Sequence, residues 1–346
     1  MSDAKLVQVG RDGISYNTLP GSSAEISIES SSLDNSIFGQ AYQSSLAGVF
    51  SYSLSANAWL RQTPGFYAEI KSATSSTAFA TPEATTLVSG KTYRITDPDK
   101  RILDPAQEVT VFDDGFAVAS SNVVLINNLF GEITLADDYV VTGPITVDGS
   151  FLTTTALGCA NSASLTQSTD VIDTSCFETV AANGGYVTNE AGTKTVSLEL
   201  SGFYREANNF FDVLDDREEL IVEIDWEGDG ETISRGFFRV MNYSQDGDQG
   251  GNENYSVTLE LSVPDDFEPF GWYFGTDSKA PAGFKDIIGA WLDRDYLYFR
   301  YYPRGVDNEG YEGRVIVSDA SISTAVDAIG ELSLDGTGDG NLEAIV

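Results

Sequence analysis

Residues 194–263 read KTVSLELSGFYREANNFFDVLDDREELIVEIDWEGDGETISRGFFRVMNYSQDGDQGGNENYSVTLELSV, and the order of patterns in this stretch decides the fold. Val196, Leu198 and Leu200 alternate with Ser197, Glu199 and Ser201, the period-2 signature of a strand with one buried face. From Glu206 to Asp216 the apolar residues Ala207, Phe210, Phe211 and Leu214 fall at helical spacing. Alternation returns at Leu220, Val222 and Ile224. It continues through Phe237, Phe238 and Val240 to Val257, Leu259 and Leu261. The stretch predicts strand, helix, strand, strand, strand: one helix on a β-sheet, a unit that can bury a core.

Working outward, the same order occurs again in weaker form. SASLTQSTDVIDTS (162–175) resembles SAEISIESSSLDNS (23–36), and KTVSLELSGFY resembles GVFSYSLSANAW (48–59). Each pair is separated by a long polar connection, 31–47 in one case and 170–194 in the other. A short strand is expected around Phe66 to Ile70. The helix returns at PAGFKDIIGAWLDR (281–294), where Phe284, Ile287, Ile288 and Trp291 share a face. YLYFRYYP (296–303), YEGRVIVSDASI (311–322) and DAIGELSLDGTGD (327–339) supply the closing strands, parallel to 220–227, 236–246 and 254–266. Residues 1–23 contain Gly10, Gly13, Pro20 and Gly21 and are expected to form an arm with little structure of its own.

Between the repeats the texture changes. Residues 72–90 are rich in Ser, Thr and Ala, a linker by composition. EVTVFDDGFAV (108–118) is a hairpin built on an Asp-Asp-Gly turn. NVVLINNLFGEITLA (122–136) and GPITVDGSFL (143–152) add further short strands. Close spacing without a helix between argues a small sandwich of immunoglobulin type. The simplest organisation is a duplication. It places a first unit in 1–72 and 272–346, an Ig-like insertion at 73–155, and a second, uninterrupted unit at 156–271.

Composition narrows the function. The chain of 346 residues has 53 acidic against 19 basic side chains, a net charge of −34. That opposes binding to nucleic-acid phosphates or anionic membranes, which need clustered cations, and it keeps a concentrated protein soluble. Histidine is absent, which excludes Ser-His-Asp and Cys-His catalysis and His-ligated metals. The two cysteines, Cys159 and Cys176, cannot form a scaffold of several bridges; one bridge between them is open, and two free thiols is the preferred reading. The N-terminal segment has no apolar stretch of signal-peptide type, and no run approaches the ~20 apolar residues of a membrane span. A soluble protein made in a cytoplasm is expected.

Several stretches invite a chemical reading. From Phe211 to Glu231 there are ten Asp or Glu and one Arg. Clustered oxygen ligands suit Ca²⁺, which makes Asp225, Glu227 and Asp229 weak metal candidates. The spacing is not that of an EF-hand, and Asp229-Gly230 reads first as a hairpin turn. No catalytic residue and no cofactor site is assigned. The cluster PFGWYFG (269–275) could stack on a sugar, but burial is the simpler role. Arg101, Arg235, Arg239, Arg300, Arg304 and Arg314 are expected to pair with acids across subunit contacts, because cations are scarce in this chain.

The unit at 163–263 resembles the tail tube (major tail) protein of long-tailed bacteriophages. The matching features are the SASLTQSTDVIDTS…KTVSLELSGFY opening, the single helix EANNFFDVL, and the closing NYSVTLELS. The segment from TYRITDPDK to VDGSFL resembles the small β-domain that precedes such units in some tail proteins. The resemblance implies a mainly β fold with two tail-tube-type sandwich or barrel units, each with one short helix, plus the Ig-like sandwich. It implies rings, usually hexameric, stacked into a tube through which the genome passes. With two units per chain, three chains would give a pseudo-six-fold ring. The loops 31–47 and 170–194 would contact neighbours.

On this reading the protein is a structural component of the virion tail, made in the host cytoplasm. It is not an enzyme and does not bind membranes. Its partners are copies of itself and other tail proteins such as terminator, tape measure and distal tail proteins. DNA passes through the lumen without specific binding. The Ig-like decoration favours a sheathless, flexible tail. The alternative is an acidic, Ca²⁺-dependent extracellular adhesin-like or glycan-binding β-protein. A glycoside-active enzyme has only the number of carboxylates in its favour.

Overall fold

The computed structural model describes residues 6–34, 45–60, 66–183, 185–203, 219–228, 230–247, 253–262, 268–305, 309–326, 328 and 330–345. In chain order the strands are β1 (Leu6–Gly10), β2 (Asn17–Leu19), β3 (Gly21–Asp34), β4 (Ser45–Trp59), β5 (Tyr67–Ala78), β6 (Glu83–Ser89), β7 (Thr92–Ile95), β8 (Thr110–Asp113), β9 (Phe116–Ala117), β10 (Val123–Asn127), β11 (Glu132–Leu135), β12 (Ile145–Asp148), β13 (Ser150–Ala160), β14 (Ser162–Asp173), β15 (Asn189–Phe203), β16 (Glu219–Asp225), β17 (Thr232–Gly247), β18 (Glu253–Leu261), β19 (Phe270–Phe274), β20 (Leu297–Tyr302), β21 (Gly310–Ala325) and β22 (Glu331–Ile345). The α-helices among the described residues are α1 (Phe177–Ala182) and α2 (Ala282–Asp293). The fold is mainly β, as the alternating patterns require. The helix expected at 206–216 lies outside the described residues, as does most of the connection after β3.

The chain forms two compact units. The first contains Met1–Gly65, Ser162–Leu198 and Asp277–Val346; the second contains Phe66–Asn161 and Glu199–Thr276.

In the first unit β21 is the central strand. β22 pairs along one edge of it. The other edge is shared: β20 takes Tyr311–Val315 and β14 takes Asp319–Ala325. β1 then pairs with β20, and β2 with β1, while β4 pairs with β22 and β3 with β4. Residues 6–10 and 17–19 are therefore strands of this sheet rather than parts of a loose arm. Val7, Val9 and Leu19 are buried, and α2 packs on β1, β2, β20 and β21. Phe284, Ile287, Ile288 and Trp291 are all buried, as the helical spacing predicts. Gly283 allows the close approach: a Cβ there would lie 3.0 Å from Leu19 and 3.1 Å from Val9. The alternation that marks 6–9 is only a few residues long, and the glycines and Asp12 around it mask the signal.

In the second unit β17 is the central strand. β16 pairs with residues 233–239 on one edge, and β18 and β19 share the other. β5 pairs with β16, and β13 runs antiparallel along β5. At the far end of the β5–β13 ribbon sits a seven-stranded module, β10-β11-β7-β6-β12-β8-β9. Its core holds Phe79, Ile95, Leu103, Val111, Ile133, Leu135, Ile145 and Val147. The module is not isolated from its unit, because Ile102, Leu129 and Phe130 pack with Ile221, Ile233 and Phe237 of β16 and β17.

The ladders of the two units correspond position for position. Leu220, Glu223, Arg235 and Gly236 take the places of Leu297, Arg300, Glu312 and Gly313. Glu223 pairs with Arg235 and Arg300 with Glu312, the same cross-strand ion pair with its charges exchanged. The β-bulge at Val240/Asn242 matches that at Val317/Asp319. Alignment by composition alone places these strands one or two residues out of register. It also assigns Phe66 to Ile70 to the first unit. In the structure β5 lies on β16, and β1 fills the corresponding place on β20. Residues 162–198, expected with the second copy, lie in the first unit because β14 hydrogen-bonds to β21.

Truncation of Phe284, 1% exposed beneath the first-unit sheet, should cost about 3–5 kcal/mol. Phe284→Ala should therefore lower the urea midpoint followed by tryptophan fluorescence, and an unchanged midpoint would contradict this packing.

Candidate assembly interface

The surface that can join chains is built from strand edges, and the first unit shows how one edge is completed. β14 lies along β21 with Leu165 opposite Ile322 and Gln167 opposite Ala320. All four residues are 0% exposed. On the alternate face Ser168 and Thr195 share a hydroxyl hydrogen bond of 2.7 Å.

After β14 the chain does not form the irregular polar loop expected over 170–194. It extends as strand to Asp173, turns through α1 and returns past Tyr186. The amide of Phe50 donates to the Gly185 carbonyl at 2.9 Å, and the Val187 amide to the Phe50 carbonyl at 3.0 Å. The Tyr186 ring lies 5.6 Å from that of Phe50 and 5.9 Å from that of Tyr52.

A buried polar node anchors this segment. The Asp339 carboxylate, 1% exposed, accepts the Asn189 amide at 2.6 Å and forms an ion pair with Arg314 at 2.5 Å. The Asn189 side chain donates to the Gly338 carbonyl at 2.7 Å. The Tyr52 hydroxyl donates to the Arg314 carbonyl at 2.7 Å, and burial pushes its pKa up to about 12. Gly338 is needed because a Cβ there would lie 2.6 Å from the Tyr52 ring. Leaving any member of such a node without its partner would carry the full desolvation penalty. Its members are far apart in sequence, and no local pattern marks them.

Among the described strands, two open edges correspond to the two sides of this seam. β3 pairs with β4 along one edge, and no described strand lies along the other. In β17, residues after Arg239 pair with β18 on one side, while β16 stops at Arg239 on the other. Ile28 on β3 is 48% exposed and Met241 on β17 55%. Open ladder edges are pairing templates unless something covers them.

The residues singled out from sequence separate into different environments. Asp225 caps its own turn: its carboxylate accepts the amides of Glu227 at 3.2 Å, Gly228 at 2.8 Å and Gly230 at 2.7 Å. Glu227 is buried, and Asp229 lies outside the described residues. Among the described residues no three His, Cys, Asp or Glu side chains converge on a common point. Cys176 is a free, exposed thiol.

The arginines expected at subunit contacts are largely held within the chain. Arg235 is buried, bonds Glu223 through Nε at 2.7 Å and donates to the Leu129 carbonyl. Burial pushes the Glu223 carboxyl up, but Arg235 and Lys71 outweigh it and hold its pKa below the ordinary value. Arg300 pairs with Glu312 at 3.0 Å and covers the Tyr16 ring. Arg314 belongs to the Asp339 node, and Arg101 donates to the Ile95 carbonyl at 2.9 Å. The cluster 269–275 is core rather than a stacking platform. Trp272 is buried, with Trp226 stacked at 5.7 Å and Phe274 at 5.8 Å.

One acidic pair is held at a cost. Asp319 and Asp335 face each other across β21 and β22. Burial, and then the Asp335 charge, raise the Asp319 pKa. A raised carboxyl pKa means that the folded state favours the protonated form. That stability is present below the ordinary Asp value of 3.8 and is lost as pH rises through the raised one. Asp319→Asn should therefore unfold at a higher temperature than the parent at pH 7. The gain should vanish as pH falls below the ordinary value, and a gain independent of pH would contradict the assignment.

Comparison with curated proteins gives no match. A solved structure described as the tail of an empty GTA particle, computed with helical refinement in C6 symmetry, contains a chain that is 14% identical. The match covers 36% of this chain and 87% of that one, with a TM-score of 0.28. Residues 145–264, from β12 past the end of β18, match the family model of the phage tail tube protein, and this segment is of phage tail tube type.

Proposed function

We propose that the protein is a structural subunit of a phage-type tail tube. Copies of the chain would join edge to edge into rings, and rings would stack into a hollow conduit for the genome. The observation that carries this reading is the family match over 145–264. Residue-for-residue repetition of the ladder β16–β17 in β20–β21 supports two tube units per chain, arisen by duplication. Three chains would then supply six similar units, and a heterologous contact closes only at the right rotation.

In this reading the copy that begins with β5 is inserted whole into the copy that begins with β1. The β6–β12 module, read as Ig-like, extends the β5–β13 turn of the inserted copy. The role is structural, and no catalytic step is assigned. A net charge of −34 would keep DNA from adhering to the wall. Terminator, tape measure and distal tail proteins are the further partners of such a tube, and the virion tail is its location.

The test is negative-stain microscopy of the purified protein with sedimentation in parallel. Hollow rings or tubes of uniform diameter, built from multiples of three chains, are expected. Because exposed acids repel and salt screens them, assembly should strengthen with ionic strength. A monomer at every concentration and salt would overturn the reading.

A further inference from the structure

The completed edge in the first unit specifies how the open edges are filled. β14 occupies the part of β21 beyond its bulge, from Asp319 to Ala325. The corresponding part of β17, beyond its own bulge, begins at Asn242 and carries no described strand on that edge. The strand corresponding to β14 is β3. Ala24 and Ala163 are both buried at matching positions, and Glu29 pairs with Ser51 where Ser168 meets Thr195. Among the described residues no strand pairs with that edge of β17, and the outer edge of β3 is likewise without a described strand.

We propose that β3 of one chain pairs antiparallel with residues 242–246 of β17 in a second copy, with Ile28 opposite Tyr243. The register is that of β14 on β21, carried across the repeat. Glu29 then faces Asn242, Ser27 faces Ser244, Ile26 faces Gln245, and Glu25 faces Asp246. This rests on the ring-forming reading and specifies its chain-to-chain joint. The joint between chains would thus repeat the pairing that β14 makes with β21 inside the chain.

The difference between the two joints that bears on their strength is one of charge. Where Glu25 faces Asp246, the in-chain counterpart is Ser164 facing Ser323. Like charges directly opposite each other destabilise a ladder, so the between-chain joint is the weaker one. The folded chain is thus complete before assembly, and the second joint responds to salt and concentration.

Cysteine pairs test the register, because Cα separations of about 4.5–5.5 Å across an antiparallel pair suit a disulfide. In a background with Cys159→Ser and Cys176→Ser, Ile28→Cys combined with Tyr243→Cys should give covalent multimers on a denaturing gel after oxidation. Each single variant, and the off-register pair Ile28→Cys with Asp246→Cys, should stay monomeric. Ser164→Cys with Ser323→Cys should link within the chain and serve as the folding control.

A second measurement uses charge. Glu25→Lys should lower the concentration needed for assembly several-fold in sedimentation, and adding Asp246→Lys should reverse that gain. If rings form but cross-linking favours the off-register pair, or Asp246→Lys leaves the gain intact, the pairing is overturned and the tube reading stands. If no rings form under any condition, both fall.

Discussion

A β-ladder has two edges, and every amide and carbonyl along them needs a partner. The architecture of the first unit follows from how β21 meets that demand. β21 spans Gly310–Ala325, longer than β20 can cover. The uncovered half is completed by β14, a strand that enters from a different part of the sequence. Once that pairing forms, the segment after it must return alongside Phe50, and the Asp339 node fixes its position. The buried Leu165, Gln167, Ala320 and Ile322 show that this seam is as dry as the interior of a domain. Such a joint is held by backbone hydrogen bonds and a shared apolar face, and needs no cations.

That explains the distribution of charge. A chain with 19 basic side chains uses several of them inside its ladders and against aromatic rings. Arg235 joins Glu223 to the Leu129 carbonyl, and Arg94 lies 3.7 Å from the Tyr273 ring centre. Scarcity of cations signals internal cross-strand pairing here. Acids on exposed strand faces, such as Glu25 and Glu29, repel one another mildly, and salt adjusts that repulsion.

Much of this was legible in the sequence wherever a pattern was local. Alternation at 196–200 and 220–224 marks strands correctly, and Phe284, Ile287, Ile288 and Trp291 mark the buried face of α2. What was not legible depended on distance. β1 is too short to stand out, and it becomes a strand only because β20 and α2 bury Val7 and Val9. β5 follows β4 in sequence but pairs with β16, a choice made by register and burial far downstream. The Asp339 node joins Tyr52, Asn189 and Arg314, and none of these carries a neighbour that announces it. Asp225, offered by the sequence as a metal candidate, instead caps the turn between β16 and β17.

The packing of Leu129 and Phe130 against Ile221, Ile233 and Phe237 gives the β6–β12 module a second character. It hangs from a two-strand ribbon, the kind of connection at which modules are usually gained or lost. Its inner end, however, is the cover of an apolar surface on β16 and β17. A chain from which the module was cut would keep its ladders and expose a greasy face, a liability for aggregation. The module is therefore removable in topology but not in energetics, and a replacement would have to bring its own plug.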